Sequence, residues 1–347
     1  MHSDCSELQT ERKMRHRNIP IFIPHLGCPH QCVFCNQHSI SGCDAFREEN
    51  VEAEIRTALS GIPLEDETEI AFFGGSFTGI PRDLMCRLLE TAERFVRTGR
   101  VSSIRLSTRP DYITPEILRI LSAYSVRHIE LGLQSMDDEV LLRSRRGHTA
   151  KTAEDACRAV VEAGFSLTGQ MMIGLPASTP EKERATAQRI AELGAGSARI
   201  YPTVVFSGTP LGRMTEEGTY QPLNLEEAVN RSADALEILE GNGVPCIRIG
   251  LCATEALNNP EKVLAGPNHP ALGEYVRSEV CCRTLCRQAE REELSGKTVR
   301  LHCAPTAVSV AVGQHRRNPE RLFRQYGITV SGIVCGEDVR EPYLSLT

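Results

Sequence analysis

Three cysteines, Cys28, Cys32 and Cys35, lie close together in the spacing C-x3-C-x2-C. Thiolates are the usual protein ligands of iron–sulfur clusters, which ordinarily take four of them. A loop with three thiols leaves one iron of a cubane cluster without a protein ligand. An open coordination position is what a catalytic metal site requires. The spacing therefore predicts a 4Fe–4S cluster with one iron left to bind a small ligand.

S-Adenosylmethionine (SAM) is a ligand suited to that iron, because its amino and carboxylate groups can chelate a metal. One electron from the cluster would then break the sulfonium bond and give a 5′-deoxyadenosyl radical. The alternative is a structural zinc site, closed by the three cysteines and one of His25, His30 or His38. That site would make the chain a non-catalytic, zinc-stabilised RNA-binding scaffold. The spacing alone leaves both interpretations open.

The elements around the cysteines alternate between short apolar runs and segments of helical periodicity. Predicted strands are 21–23, 69–73, 103–106, 128–131, 167–173 and 199–205. Thr114 and Thr179 are predicted helix caps, since each precedes a proline. Six strand–helix repeats predict an α/β fold with a parallel sheet, barrel-like or doubly wound. Functional groups gather at the carboxyl ends of such strands, and the cysteines directly follow the first strand.

Composition excludes several classes of protein. The 347 residues include 39 Lys and Arg against 45 Asp and Glu, a net charge of −6, so we expect no DNA binding. No apolar run reaches the ~20 residues of a membrane helix, and the amino terminus lacks the apolar stretch of a secretory signal. We therefore expect a cytoplasmic protein without a membrane partner. In that reducing compartment the 14 cysteines argue against a disulfide scaffold.

The chain resembles the radical SAM superfamily, and more closely the radical domain of the Elongator catalytic subunit and its shorter bacterial relatives. The matching blocks, in the order of that family, are 27–35, 73–78, 107–112, 129–135, 146–149, 172–176 and 200–203. The resemblance implies a partial (β/α)6 TIM-like barrel over residues 18–222. A smaller α+β region, residues 223–347, is then a candidate substrate-shaping extension.

The resemblance also implies cofactor contacts at the ends of the strands. The candidates for binding SAM are Gly74, Gly75, Ser76, Ser107, Gln134, Arg146 and Ile173. The glycine turn would contact the methionine part, and the Gln134 amide suits ribose hydroxyls or the carboxylate. Ser107 stands where the family has glutamate, and Arg145 where it usually has glycine, so the choice between Arg145 and Arg146 is open.

An external one-electron donor, flavodoxin- or ferredoxin-like, is implied as a partner. The substrate stays open between transfer RNA, as for Elongator, and a small metabolite, as for oxygen-independent coproporphyrinogen oxidases. The segment after Tyr220 shows no acetyl-CoA phosphate loop, so acetyl-CoA-dependent carboxymethylation of transfer RNA is not supported.

The remaining chain carries two weaker signals. Cys281, Cys282 and Cys286 fall on a predicted helix, 272–294, where burial is a better explanation than metal binding. A basic cluster near His315 and Arg324 fits a solvated charged face better than a phosphate site. A strand pair is predicted within 298–312.

Overall fold

A computed structural model of the chain describes residues 15–23, 26–28, 32–35, 46–251 and 257–347. Its main feature is a parallel sheet of seven strands in the order β1-β2-β3-β4-β5-β6-β8. These strands are β1 (His16–Ile23), β2 (Glu67–Gly74), β3 (Ser103–Thr108), β4 (Val126–Gln134), β5 (Ser166–Ile173), β6 (Ser197–Pro202) and β8 (Cys246–Ile249). All six predicted strands are present, and β8 adds a seventh to the same sheet.

Helices follow the strands and cover the outer face of the sheet. They are α1 (Val51–Ser60), α2 (Arg82–Arg97), α3 (Pro115–Leu121), α4 (Asp138–Arg143), α5 (Ala150–Glu162), α6 (Pro180–Glu192) and α8 (Leu225–Gly241). The predicted caps are confirmed, because the hydroxyls of Thr114 and Thr179 accept hydrogen bonds from the first turns of α3 and α6. The short helix α4 was not predicted, since six residues are too few for a periodic signal.

Alternation along the strands separates two faces of the sheet. Ile129 and Leu131 of β4 and Ile200 of β6 are fully buried in the main core under the helices. The residues that alternate with them along each strand lie on the opposite, inner face of the sheet. There the guanidinium of Arg199 on β6 lies 5.4 Å from the ring centroid of Phe73 on β2. Strands β2 and β6 are separated by three others, so this contact requires the sheet to curl into a half-barrel. The predicted partial barrel is thus confirmed.

Beyond β6, two short antiparallel strands, β7 (Val205–Phe206) and β9 (Val263–Ala265), and helix α7 (Pro210–Glu216) lie near the carboxyl end of the sheet. Helix α9 (Leu272–Arg291) leads to a second core. That core contains β10 (Thr298–Cys303), α10 (Val308–Val312), α11 (Arg317–Tyr326), β11 (Thr329–Cys335) and β12 (Tyr343–Leu346).

The strand pair predicted within 298–312 is wrong. Only its first half is a strand, β10, and its second half is the helix α10. Strand β10 instead pairs in parallel with β11 and antiparallel with β12, both distant in sequence. The division at residue 222 stays a prediction, and the main sheet continues past it through β8. In the described part of the chain, every helix is too short or too polar to cross a bilayer.

Candidate active site

The cysteine loop begins at the carboxyl end of β1, where it packs backbone to backbone on the turn after β2. The amide of Gly75 donates to the carbonyl of Ile23 (2.8 Å), and that of Ser76 donates to the carbonyl of Leu26 (3.0 Å). A Cβ at Gly75 would lie 2.1 Å from the Leu26 oxygen, and one at Gly27 would lie 2.2 Å from the Ser76 oxygen. Only glycine permits this approach, which is the structural reason for both residues.

Val33 fixes the other half of the cysteine loop. Its amide donates to the carbonyl of Ser144 (3.2 Å), and its carbonyl accepts from the amide of Leu211 in α7 (2.9 Å). The Val33 side chain is buried against Val205 and Leu211. The loop is therefore attached both to the barrel, after α4, and to the elements that follow β6.

Two arginines face the thiols. Arg146 Nη1 donates to Cys32 Sγ across 3.2 Å, and its Nη2 donates to the carbonyl of Gly132 (2.5 Å). Arg109 binds Asp111 with two hydrogen bonds of 2.9 and 3.0 Å and also donates to the carbonyl of Arg146. Arg146 Nε and Arg109 Nη1 are buried without a hydrogen-bond acceptor among the described residues. Buried guanidinium groups with unused donors favour a bound anion.

Burial and the neighbouring arginines act in opposite directions on the pKa of the Cys28 thiol. Burial raises the pKa of Cys28 above its usual value, while the guanidiniums of Arg109 and Arg146 lower it. Metal binding requires the thiolate, so these cations favour the form that binds a metal.

Within the described ranges, no three His, Cys, Asp or Glu side chains converge closely enough to hold a metal ion. Residues 29–31 of the cysteine loop lie outside those ranges, as do the candidate zinc ligands His25, His30 and His38. The donor set still fits an iron–sulfur cluster, since it consists of three thiols beside unused guanidinium donors. Assembly of a cluster on this loop would draw the three sulfurs together, as is usual where metal binding is coupled to local folding.

Gln134 lies buried at the end of β4 with a backbone φ of +67°. Its Oε1 accepts from Gln170 Nε2 on β5 (3.3 Å), and the strand register shifts between Gly132 and Gln134. A non-glycine residue in the left-handed region costs free energy, and such residues cluster at functional sites. The geometry directs the Gln134 amide over Gly132, toward Arg146 and the cysteine loop.

The other predicted SAM contacts are placed differently. The Ser76 hydroxyl shares a 2.7 Å hydrogen bond with Thr108 and accepts from the Arg109 amide, so it joins the ends of β2 and β3. Ser107 is half-buried on the inner face. Ile173 is fully buried in the main core, which favours a packing role.

Of the two candidate arginines, Arg145 is exposed, whereas Arg146 is buried and donates to Cys32 Sγ.

A charged network on the inner face was missed by the sequence reasoning. Arg199 Nε lies 3.0 Å from Glu130 Oε2, and Arg105 Nη2 lies 3.1 Å from Glu69 Oε2. Burial raises the pKa of Glu130, and the neighbouring arginines lower it. Charged residues at alternate positions of otherwise apolar strands were the signal available in the sequence.

The two weaker sequence signals are explained by packing and pairing. Cys281, Cys282 and Cys286 are buried in the second core. The arginines of the basic cluster form ion pairs: Arg317 with Glu226 of α8, Arg321 with Glu279 of α9, and Arg324 with Glu320 of its own helix. Three of the four arginines of this cluster are therefore paired with carboxylates.

A curled parallel sheet carries the cysteine loop at the carboxyl end of its first strand, where such folds place their functional groups. The family model described as "Radical SAM superfamily" matches residues 22–190, and that of the "Radical_SAM C-terminal domain" matches 196–281. The chain belongs to the radical SAM superfamily and is an enzyme of that class. The cofactors of the superfamily are a 4Fe–4S cluster and SAM.

The chain is similar to several known proteins. An uncharacterized protein of Methanocaldococcus jannaschii is 28% identical over 64% of this chain and 71% of its own length. A tRNA uridine(34) acetyltransferase of Dehalococcoides mccartyi is 24% identical over 59% of this chain and 52% of its own. The chain thus spans about half of that acetyltransferase. The solved structure of Methanocaldococcus infernus Elp3 has a TM-score of 0.60 at 19% identity, covering 82% of this chain and 66% of its own, and it supports the fold.

Proposed function

We propose that this chain cleaves SAM reductively, with a 4Fe–4S cluster held by Cys28, Cys32 and Cys35. The observation that carries the proposal is the contact of Arg146 Nη1 with Cys32 Sγ, at the carboxyl end of a parallel half-barrel. When bound, the cluster supplies one electron for the cleavage of SAM into methionine and a 5′-deoxyadenosyl radical. The donor of that electron is an external flavodoxin- or ferredoxin-like protein, and the proposed location is the cytoplasm.

The chain's own residues would bind and orient SAM. The unused donors Arg146 Nε and Arg109 Nη1 suit an anionic group such as the carboxylate of the methionine part. The Gly74–Gly75 turn brings bare backbone next to the cysteine loop, where a side chain would collide with the backbone of Ile23 and Leu26. The Gln134 amide can both donate to and accept from ribose hydroxyls. Phe34 of the cysteine loop packs against the buried cluster of Val140, Met172 and Leu175, which would exclude water from this end of the barrel.

The test is anaerobic reconstitution with iron and sulfide, followed by dithionite and SAM. We expect about four irons per chain and the formation of 5′-deoxyadenosine. Alanine at Cys28, Cys32 or Cys35 should abolish both, while Cys335→Ala, at an exposed cysteine, should preserve both. A colourless protein that binds one zinc and produces no 5′-deoxyadenosine would support the scaffold alternative instead.

A transfer RNA substrate comes from the relatives, whose names include a tRNA uridine acetyltransferase. Binding of a polyanion would weaken steeply with salt, whereas binding of a small metabolite would not. Filter binding of total tRNA to the reconstituted enzyme at about 50 and 200 mM salt separates the two substrate classes. The paired arginines of the C-terminal surface support the small metabolite.

A further inference from the structure

The inner face of the half-barrel carries a row of polar side chains next to the candidate SAM site. The strand registers place Gly132, Gln170, Arg199 and Arg248 side by side on β4, β5, β6 and β8. Ile200 and Ile249, the next residues of β6 and β8, pack with the main core, so both arginines face inward. Two guanidiniums are thus direct neighbours on adjacent strands.

The two arginines differ in their partners. Arg199 is held by Glu130 at 3.0 Å, by the hydroxyl of Tyr201 at 3.1 Å and by the ring of Phe73. Among the described residues, no carboxylate lies within ion-pair distance of Arg248, whose Nε donates to the Gly250 carbonyl at 3.3 Å. Arg248 is also half-buried, so water replaces a counter-ion only in part.

The charges of the inner face do not balance. In the described part of the chain, Arg105, Arg199 and Arg248 surround the carboxylate of Glu130, and Arg105 also pairs with Glu69. Glu69 is already surrounded by Arg105, Ser103, His16 and His128. Like charges that face each other on neighbouring strands destabilise a sheet. Among the described residues, one positive charge at β8 is therefore left without a carboxylate at ion-pair distance.

Tyr201 adds a neutral donor to this position. Its hydroxyl accepts from Arg199 Nη1, which leaves the hydroxyl proton to donate to another group. Tyr201 also packs against the buried cluster of Val140, Met172 and Leu175, and Phe34 of the cysteine loop packs against the same cluster. One buried apolar cluster thus contacts both Tyr201, beside the arginine pair, and the cysteine loop.

We propose that Arg248, with Arg199 and Tyr201, binds an oxyanion of a small substrate, a carboxylate or a phosphate, inside the half-barrel. This inference rests on the proposed function and names the substrate class of the same site. A guanidinium presents two parallel donors that match either oxyanion. Strand β8 lies two strand spacings, about 10 Å, from the strand of Gln170, which contacts Gln134. The oxyanion would thus anchor the substrate beside SAM while its other end approaches the radical.

The test is isothermal titration of the reconstituted enzyme with SAM and without reductant. The probes are inorganic phosphate and succinate, in separate titrations that distinguish phosphate from carboxylate. We expect saturable binding of one probe per chain, weakened at least tenfold by Arg248→Gln and less by Arg248→Lys. The matched control is Arg127→Gln, an exposed arginine of β4, which should bind as the parent enzyme does. Thermal unfolding of each variant checks that it is folded.

Three results would overturn the inference. The first is that neither probe binds saturably. The second is that Arg127→Gln weakens binding of the probe as much as Arg248→Gln does. The third is that a folded Arg248→Gln protein binds the probe as tightly as the parent enzyme. Binding of total tRNA that depends on Arg248, with no binding of the small probes, would assign the site to RNA instead. Because the titration uses no reductant, it is independent of 5′-deoxyadenosine formation. Failure of SAM cleavage overturns the proposed function, whereas failure of anion binding with intact cleavage overturns this inference alone.

Discussion

Arg146 and Cys32 lie 114 positions apart in the chain, yet Nη1 of the arginine donates to the sulfur of the cysteine across 3.2 Å. The guanidinium is buried, and its Nη2 is fixed on the Gly132 carbonyl of β4. The contact joins the loop after α4 to the cysteine loop. It places a fixed positive charge beside the thiol at which we propose a cluster to bind.

Replacement of Arg146 tests the importance of that charge. We expect Arg146→Gln to lower the rate of 5′-deoxyadenosine formation at least tenfold, because a buried cation beside the thiol and its unused Nε donor are both lost. Arg146→Lys keeps the charge but not the planar guanidinium, so its rate of 5′-deoxyadenosine formation should lie between those of the parent enzyme and Arg146→Gln. The assay is 5′-deoxyadenosine per chain per minute, with iron content measured in parallel. The exposed neighbour supplies the control, Arg145→Gln, and equal rates in both glutamine variants would contradict the assignment.

Replacement of Gly75 tests the packing of the two loops. Gly75→Ala would place a Cβ 2.1 Å from the Leu26 oxygen, so one of the two backbones must move. We expect the free energy of unfolding to fall by about 1–3 kcal/mol and the iron content to fall with it. Urea unfolding measures the first and iron analysis the second.

Gly61→Ala is the matched control for Gly75→Ala. Gly61 follows the last residue of α1 with a φ of −97°, and a Cβ added there would lie 3.8 Å from its nearest neighbour, the Ala58 oxygen. A Gly75→Ala protein as stable and as rich in iron as the Gly61→Ala protein would show that the loops have more freedom than their contacts indicate.

His148 makes stability depend on pH. Burial, and then the charge of Arg146, lowers the pKa of His148 to about 4, well below its usual value of 6.5. The unfolded chain thus binds a proton between pH 6.5 and 4 that the folded chain does not. Stability therefore falls as pH falls through that window, by about 3 kcal/mol in all and about 1 kcal/mol between pH 7.5 and 5.5.

The free energy of unfolding in urea at several pH values measures this effect. Between pH 7.5 and 5.5, the free energy of unfolding of His148→Gln should fall by about 1 kcal/mol less than that of the parent protein. His315→Asn, at an exposed histidine, should follow the parent curve. Parallel curves for the parent and His148→Gln would mean that His148 titrates alike in the folded and unfolded chains.

The sequence by itself determined the parallel strands of the main sheet and the position of the cysteine loop after the first of them. Apolar periodicity located all six predicted strands, because burial on a sheet face constrains residue type at every second position. The spacing of Cys28, Cys32 and Cys35 predicts a cluster with an open iron, and a structural zinc site stays the alternative. Helix caps such as Thr114 were also local signals, since a cap acts within three residues.

Tertiary structure decided which residues meet. Arg146 rather than Arg145 reaches the thiols because the left-handed φ of Arg145 at the end of α4 leaves that side chain in solvent. The pairing of Arg199 with Arg248 depends on which strand lies beside β6, and no local pattern encodes that choice. The pairing of β10 with β11 and β12 was missed for the same reason. Contacts between distant segments depend on the packing of the whole chain, whereas periodicity and spacing report only on each segment's own neighbours.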